Sequence, residues 1–460
     1  MKKMKVLSFF CAFFLSVTVL VSPAAALSRS ASDILEGMEV EAQAALLVDA
    51  DTDVIFYEQN AYDKVYPASI TKVMTAVCVF RAIEDGRLSL DTKVTAQDDC
   101  WDGLDSSSSN ANIREGEVMT VEELLYCLLV ASANEAANIL AEEVSGSIED
   151  FVTLMNETAA ELGCTGTNFV NPHGMPDKDH YTTCYDLYLM AKEAMRFDDF
   201  CTIVKSKECY IEATNLSEQR HYYNTNGLLS NLRYSGYYYE KCIGIKTGST
   251  DDAGYCLLAA AEEDGQTLIS VVMGCENPVV DGVTQRLQFS ESSRLLEWGF
   301  DNFSTITILE ENEPEGTVPV TLSDEADYVT VVAETSLEAQ LPNDITADDF
   351  RKDINLISEV EAPVTKGDVL GTMTLTLDGT EYGTVNLVAA NDVAVSAVLL
   401  RKAQLETLVG QWWMKIVFLV VGLVLLVVLL RLLVFRPKKK SRYGSSSGSR
   451  RSNYRGGRRR

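Results

Sequence analysis

The stretch Tyr66-Pro67-Ala68-Ser69-Ile70-Thr71-Lys72-Val73-Met74-Thr75 decides how the rest of the chain reads. Pro67 carries a φ preset for the first turn of a helix, and the run from Val73 through Phe80 is apolar enough to be a buried one. Residues three apart share a helical face, so the Ser69 hydroxyl and the Lys72 amine are expected to meet. A hydroxyl with a base in reach is the minimum for an activated nucleophile. Lysine is a poor base at its usual pKa of about 10.4, but burial and the positive end of a helix both disfavour its charged form. Neither side chain is assigned a packing role.

Upstream, Ala44-Ala45-Leu46-Leu47-Val48 and Val54-Ile55-Phe56-Tyr57 flank an Asp-rich turn and read as a β-hairpin. Downstream, residues 98–116 are rich in Ser and Asn and read as a loop. Thr120 and Glu123 form a capping box that opens the apolar run 124–130. Ser132-Ala133-Asn134 follows that helix directly and precedes another. Helices are expected near 148–162, 185–196 and 283–300. Residues 171–177, Asn-Pro-His-Gly-Met-Pro-Asp, read as a rigid, exposed turn. Ile243-Gly244-Ile245-Lys246-Thr247-Gly248 reads as a strand end, with a turn at 249–252 and strands at 254–261 and 267–274.

From about residue 305 to 399 short alternating runs are separated by Gly, Asp and Pro turns, the pattern of an all-β domain. Residues 416–435 are then apolar except for Arg431. Twenty helical residues reach about 30 Å, the thickness of a bilayer core. Lys415 and Arg431 sit near the ends of this run, and Trp412 and Trp413 suit the interfacial belt. An in-plane helix would need a polar face, which is lacking.

The formal charge of −28 conceals an asymmetry: residues 431–460 hold 12 Lys or Arg and no carboxylate, while all 67 acidic residues lie within 27–414. So acidic a body argues against nucleic acid as a partner. The basic end places the C-terminus in the cytoplasm and residues 27–410 outside. Lys2, Lys3 and Lys5, the apolar residues 7–21 and Ala24-Ala25-Ala26 read as a secretory signal, with Leu27 as the mature N-terminus. Apart from Cys11, the ten cysteines fall between Cys78 and Cys275, and their pairing is undetermined. Cys78 and Cys127 read as buried small hydrophobes. No cysteine or histidine spacing suggests a metal, and no cofactor is expected.

Three short motifs thus occur in order: Ser69-x-x-Lys72, Ser132-x-Asn134 and Lys246-Thr247-Gly248. Each is weak alone; together, at a helix start, an inter-helix turn and a strand, they are specific. With Ala131-Ser132-Ala133-Asn134-Glu135-Ala136-Ala137, Asn171-Pro172-His173-Gly174 and Gly244 through Thr250, the chain resembles the low-molecular-mass D-alanyl-D-alanine carboxypeptidases, penicillin-binding proteins of the S11 peptidase type. Glu361-Ala362-Pro363-Val364, Lys366-Gly367 and Gly371 resemble the small β domain that follows the catalytic domain in that family.

The resemblance implies an α/β (α+β) serine DD-peptidase/β-lactamase-like catalytic domain at 27–303, after the signal at 1–26. A small all-β domain at 304–400, a linker at 401–411, a transmembrane helix at 412–435 and a basic tail at 436–460 complete the expected order. Many family members end in an amphipathic anchor, and the full span is a departure. By resemblance, Ser69 attacks the penultimate D-alanine carbonyl of a peptidoglycan stem peptide ending in D-Ala-D-Ala, and Lys72 takes its proton. Ser132 passes a proton to the leaving amine. Asn134 holds the substrate amide and orients Lys72. Lys246, kept charged, and Thr247 hold the terminal carboxylate. Gly248 lets the strand approach, and the N–H groups of Ser69 and Ser249 form the oxyanion hole. β-Lactams are expected as covalent inhibitors. A membrane-anchored serine β-lactamase and a catalytically silent penicillin-binding cell-wall protein are the alternatives.

Overall fold

Every residue of the strand Ala44–Asp49 (β1) is buried, because the sheet it belongs to is covered on both faces. In the computed structural model, which describes residues 38–104 and 108–434, β1 pairs antiparallel with Ile55–Gln59 (β2), the expected hairpin. The signal read at 1–26 and the tail read at 436–460 lie outside the described residues. Ala44, Leu46 and Val48 of β1 join a cluster with Val73, Val77, Leu258 and Ile269 on the helical side. Ala45 and Leu47 face the other way, against Leu257, Leu268, Leu295 and Leu296. Burial on both faces turns strand alternation into an unbroken apolar run.

A 3₁₀ turn at Ala68–Thr71 leads into Lys72–Glu84 (α1), whose first nine residues are all buried. Then come Val121–Leu129 (α2), Asn134–Ser145 (α3), Ile148–Glu161 (α4), Cys184–Ala194 (α5) and Asp198–Lys205 (α6). The Thr120–Glu123 capping box forms as read. Cys242–Thr250 (β3), Gly254–Glu263 (β4) and Gln266–Cys275 (β5) complete a five-stranded antiparallel sheet in the order β2-β1-β5-β4-β3. β3 is therefore an edge strand, with one side free to face a ligand.

Two local expectations need correction. Lys246, Thr247 and Gly248 lie inside β3, which runs on to Thr250, so the turn begins two residues later than read. The helix expected from 283 begins only at Leu287 and runs to Asn302 (α7). Asp281 and Gly282 adopt positive φ, 51° and 79°, and fold Val279–Val280 and Val283–Thr284 into a small hairpin instead. An Asp-Gly pair between valines is a turn signal that outweighs the helical pattern.

The strands beyond α7 are Phe303–Leu309 (β6), Pro314–Thr321 (β7), Tyr328–Ala333 (β8), Leu337–Pro342 (β9), Arg351–Leu356 (β10), Val360–Glu361 (β11), Val369–Leu377 (β12) and Thr380–Ala389 (β13). The all-β reading of this region therefore holds. The chain divides into two compact units. One comprises the residues up to Glu315 with Val332–Leu356 and Gly371–Val388; within it β6 pairs with β9 and β10 with β12. The other comprises Gly316–Val331, Ile357–Leu370 and the residues from Ala389 on. There β7 meets β11 in parallel at Val320 and Val360, and Val364 bridges Val393.

In that second unit Ser396 caps Ala397–Gly410 (α8), and Trp412–Val434 (α9) follows. Among the described residues, α9 is the single helix long and apolar enough to cross a membrane, over Trp412–Leu433. Its large apolar side chains, such as Leu419 and Leu432, are exposed in the isolated chain. A surface of that kind requires a lipid or protein cover.

Candidate active site

Ser69 sits in the 3₁₀ turn and Lys72 is the first residue of α1. In a 3₁₀ turn residues i and i+3 eclipse, and the Lys72 amine lies 3.0 Å from the Ser69 hydroxyl. The same amine donates to Asn134 Oδ1 at 2.6 Å and to the carbonyl oxygen of His173 at 2.7 Å. Lys72 is wholly buried, and burial, then the nearby charge of Lys246, holds its pKa well below the ordinary lysine value, against a smaller opposing pull from Glu135. A neutral amine keeps two N–H bonds, which Asn134 and His173 accept. Its lone pair is then left facing the Ser69 hydroxyl.

Ser132 and Asn134 come from the turn between α2 and α3, where Ser132 holds a φ of +64°. Such a conformation is uncommon for serine and marks a functional position. The Lys246 amine donates to Ser132 Oγ at 2.9 Å and to the Thr247 carbonyl at 2.9 Å. Thr247 Oγ1 donates to Thr225 Oγ1 at 2.7 Å. Burial, aided by Arg233, lowers the Lys246 pKa to about 7. Lys246 was expected to stay charged; in the free site burial opposes that, and a bound carboxylate would restore the charge. A Cβ at Gly248 would lie 2.8 Å from the Pro67 carbonyl oxygen and 3.2 Å from Ala68 Cβ, so glycine is required where β3 passes the 3₁₀ turn.

All six polar side chains singled out in the motifs therefore converge. With Ser109, Thr225, Arg233, Tyr234, Tyr255, Arg286 and Phe289, residues Ser69, Ser132, Thr247, Gly248 and Ser249 line a cleft of about 120 Å³. Arg233 and Arg286 make its mouth cationic, and both guanidinium groups lie against the Tyr234 ring, Arg286 4.1 Å from its centroid. No spacing in the sequence points to these two arginines.

The segment 171–177 was expected to be exposed. Instead Pro172, His173 and Gly174 are buried against the start of α1. Thr75 Oγ1 donates to the Pro172 carbonyl, Lys72 to that of His173, and Thr71 Oγ1 meets His180 Nε2 at 2.8 Å. Both imidazoles are kept neutral chiefly by burial, with His173 lowered to about 3 and His180, against a smaller opposing pull from Asp177, to about 4. Glu135, unassigned from the sequence beyond its place in the motif, accepts from the backbone N–H groups of Ala111 at 2.7 Å and Ile113 at 3.2 Å. It fixes the loop that brings Ser109 to the cleft. Among the described residues no group of three or more His, Cys, Asp or Glu is arranged to hold a metal.

This fold and site define a serine peptidase of the penicillin-recognising class. The chain belongs to the D-alanyl-D-alanine carboxypeptidase family, peptidase S11, which it matches over residues 29–277. Residues 303–395 match the C-terminal domain of penicillin-binding protein 5. The D-alanyl-D-alanine carboxypeptidase DacA of Haemophilus influenzae is 30% identical over 423 residues, 89% of this chain and 97% of that one. DacF of Bacillus subtilis is 28% identical over 372 residues, 81% of this chain and 90% of the relative. Among solved structures, penicillin-binding protein 5 of Haemophilus influenzae is similar at 29% identity with a TM-score of 0.58, covering 78% of this chain and 98% of the other. Penicillin-binding protein 6B of Escherichia coli is similar at 26% identity and 0.59, covering 76% and 96%.

Proposed function

We propose that the protein is a serine-type D-alanyl-D-alanine carboxypeptidase that removes the terminal D-alanine from peptidoglycan stem peptides and is acylated by β-lactams. The observation that carries this is the depressed, buried Lys72 amine 3.0 Å from the Ser69 hydroxyl, with its other donors already committed. Lys72 removes the Ser69 proton as Oγ attacks the penultimate D-alanine carbonyl. Charge developing on the carbonyl oxygen is met by the backbone N–H groups of Ser69 and Ser249, a device of about 3 kcal/mol of barrier. Ser132, bonded to Lys246, relays a proton to the departing D-alanine amine and is reprotonated by the one that Lys72 took from Ser69, so that the amine leaves neutral and Lys72 is again a free base. Lys246 and Thr247 take the terminal carboxylate, helped by the cationic mouth. Water then resolves the ester on Ser69.

Residues 27–303 form the catalytic domain in this reading, and residues 304–400 a stalk. The helix at 412–435 spans the cell membrane once, with the catalytic domain outside facing the cell wall and the basic tail in the cytoplasm. The hydropathy of α9 and the charge of 431–460 support that orientation. Protease added outside intact cells should remove the catalytic domain and spare a C-terminal tag; the reverse pattern refutes the orientation.

Incubation of the full-length chain in detergent with a penicillin tests the chemistry. A single slowly hydrolysed adduct on the Ser69 peptide is expected. Rapid multiple turnover of a chromogenic β-lactam would indicate a β-lactamase, and labelling that survives Ser69→Ala would refute the nucleophile.

A further inference from the structure

Glu135 accounts for one side of the loop that carries Ser109 to the cleft; the other side is held from far along the chain. Residues 108–113 have no helix or strand of their own, and Asn112 within them turns left-handed at a φ of 53°. Every backbone polar group of Ala111 and Ile113, both fully buried, is nonetheless used. Their N–H groups donate to Glu135, and the Ile113 carbonyl accepts from Trp101 Nε1 at 2.8 Å. The Ala111 carbonyl accepts from Arg220 Nη1 at 3.1 Å and from the Tyr222 hydroxyl at 2.8 Å. Arg220 and Tyr222 lie on the strand Arg220–Tyr223, which pairs with Glu208–Ile211 in a separate hairpin.

Arg220 is itself fixed. Its Nη2 donates to Glu117 Oε1 at 2.6 Å, in an ion pair whose carboxylate is fully buried and whose guanidinium is 13% exposed. Glu117 also accepts from Thr214 Oγ1 at 2.7 Å, Ser217 Oγ at 3.4 Å and the Arg114 N–H at 3.1 Å. The guanidinium fork thus spends one N–H on the carboxylate and one on Ala111, a division that its rigid planar geometry suits. Its Nε is buried without an acceptor, a cost that points beyond stability. One buried charge of each sign therefore grips Ala111, Glu135 at its N–H and Arg220 at its carbonyl, and charge-assisted bonds of this kind are the strong ones. Two residues back, the Ser109 carbonyl accepts from the Asn134 N–H at 2.9 Å, and Asn134 Oδ1 takes the Lys72 amine at 2.6 Å.

We propose that Arg220, fixed by Glu117, is a positioning residue for acylation: it acts through Ala111 to set Ser109 against the cleft and to hold the Asn134 turn where its side chain meets Lys72. The inference rests on the carboxypeptidase reading above. Arg220 does not line the cleft, so its effect reaches the chemistry only through where it leaves these groups. Lys246 and Thr247, which take the carboxylate in that reading, stand on β3, outside the clamp. Loss of Arg220 should therefore slow the covalent step more than it weakens the complex that precedes it.

The test follows acylation of the full-length chain in detergent by a fluorescent penicillin over a range of concentrations, which separates the limiting rate from the half-saturating concentration. Arg220→Met should cut the limiting rate about tenfold, a size that a small misplacement of reacting groups reaches. It should also lower the melting temperature, because Glu117 is left buried and unpaired. Glu117→Gln combined with Arg220→Met removes both charges, so the melting temperature should largely return while the rate stays low. Tyr222→Phe withdraws the second donor to the same carbonyl without baring a charge, and should slow the limiting rate about threefold. A limiting rate that recovers together with stability in the double variant, or stays at the wild-type value in Tyr222→Phe, overturns the proposal. A wild-type chain that takes up no penicillin overturns the carboxypeptidase reading itself, a different outcome.

Discussion

A Cβ placed on Gly174 would lie 1.8 Å from the carbonyl oxygen of Ala68, the residue just before the nucleophile. Gly174 has a φ of +88° and Ala68 one of +46°, so two left-handed residues lock together behind Ser69. The 171–174 segment is thus a backing plate for the catalytic turn, not a surface loop. Gly174→Ala should force these backbones apart and break the Lys72–His173 bond. A loss of about 3 kcal/mol of stability is expected, together with at least a hundredfold slower acylation by a fluorescent penicillin. A variant that melts and labels like wild type would mean the contact is not needed.

Ser69 and Lys72 act as one unit, so Ser69→Ala and Lys72→Ala should each abolish D-alanine release, and the double variant should be no worse. Their effects on stability should differ. Lys72 is fully buried, and Lys72→Ala leaves Asn134 Oδ1 and the His173 carbonyl without their donor. Each orphaned acceptor costs about 1–3 kcal/mol, partly offset because an amine is no longer desolvated. Thermal melts should show a net loss of about 2 kcal/mol for Lys72→Ala and little change for Ser69→Ala. No packing role was read into Lys72 from the sequence, which pointed to burial of its amine and to Asn134 but gave no sign of the His173 carbonyl it also serves.

The two buried amines set the pH response. Protonated Lys72 cannot accept the Ser69 proton, so acylation should fall as pH drops through its depressed ionisation. Removing the neighbouring cation by Lys246→Ala relieves one cause of that depression, so the Lys72 pKa rises and the acidic limb moves to higher pH. The second-order rate constant for penicillin acylation, measured across pH in both proteins, checks this. Superimposable profiles would uncouple the two amines.

The fold and the motif residues were legible because each rests on a local rule. The apolar run 44–48, the Thr120 box and the order of the three motifs each report their own neighbourhood. What escaped was long-range or decided by a stronger local signal. Nothing near Glu135 says that its carboxylate will hold Ala111 and Ile113, and the arginines at 233 and 286 reach the cleft only through tertiary folding. The start of α7 was misplaced because Asp281-Gly282 turns the chain where hydrophobic spacing alone suggested a helix.

His173 and His180 make the fold acid-sensitive. Their folded pKa values, about 3 and about 4, lie below the ordinary histidine value of 6.5. Below that value the unfolded chain takes up protons that the folded chain refuses, so stability is lost as pH falls and the loss levels off only below about pH 3. By pH 5 each imidazole should account for ~2 kcal/mol. Melting temperatures should drop between pH 7 and 5 more steeply in wild type than in His180→Gln. Parallel curves would show that His180 is not the cause.

Release of free D-alanine from a diacetyl-L-Lys-D-Ala-D-Ala substrate by the full-length chain tests the Ser69–Lys72 assignment most directly. The expected result is stoichiometric D-alanine from wild type, none from Ser69→Ala, and inhibition when Ser69 is first acylated by penicillin. D-alanine release that persists in Ser69→Ala, or a wild-type chain that takes up penicillin on Ser69 yet releases none, would contradict it.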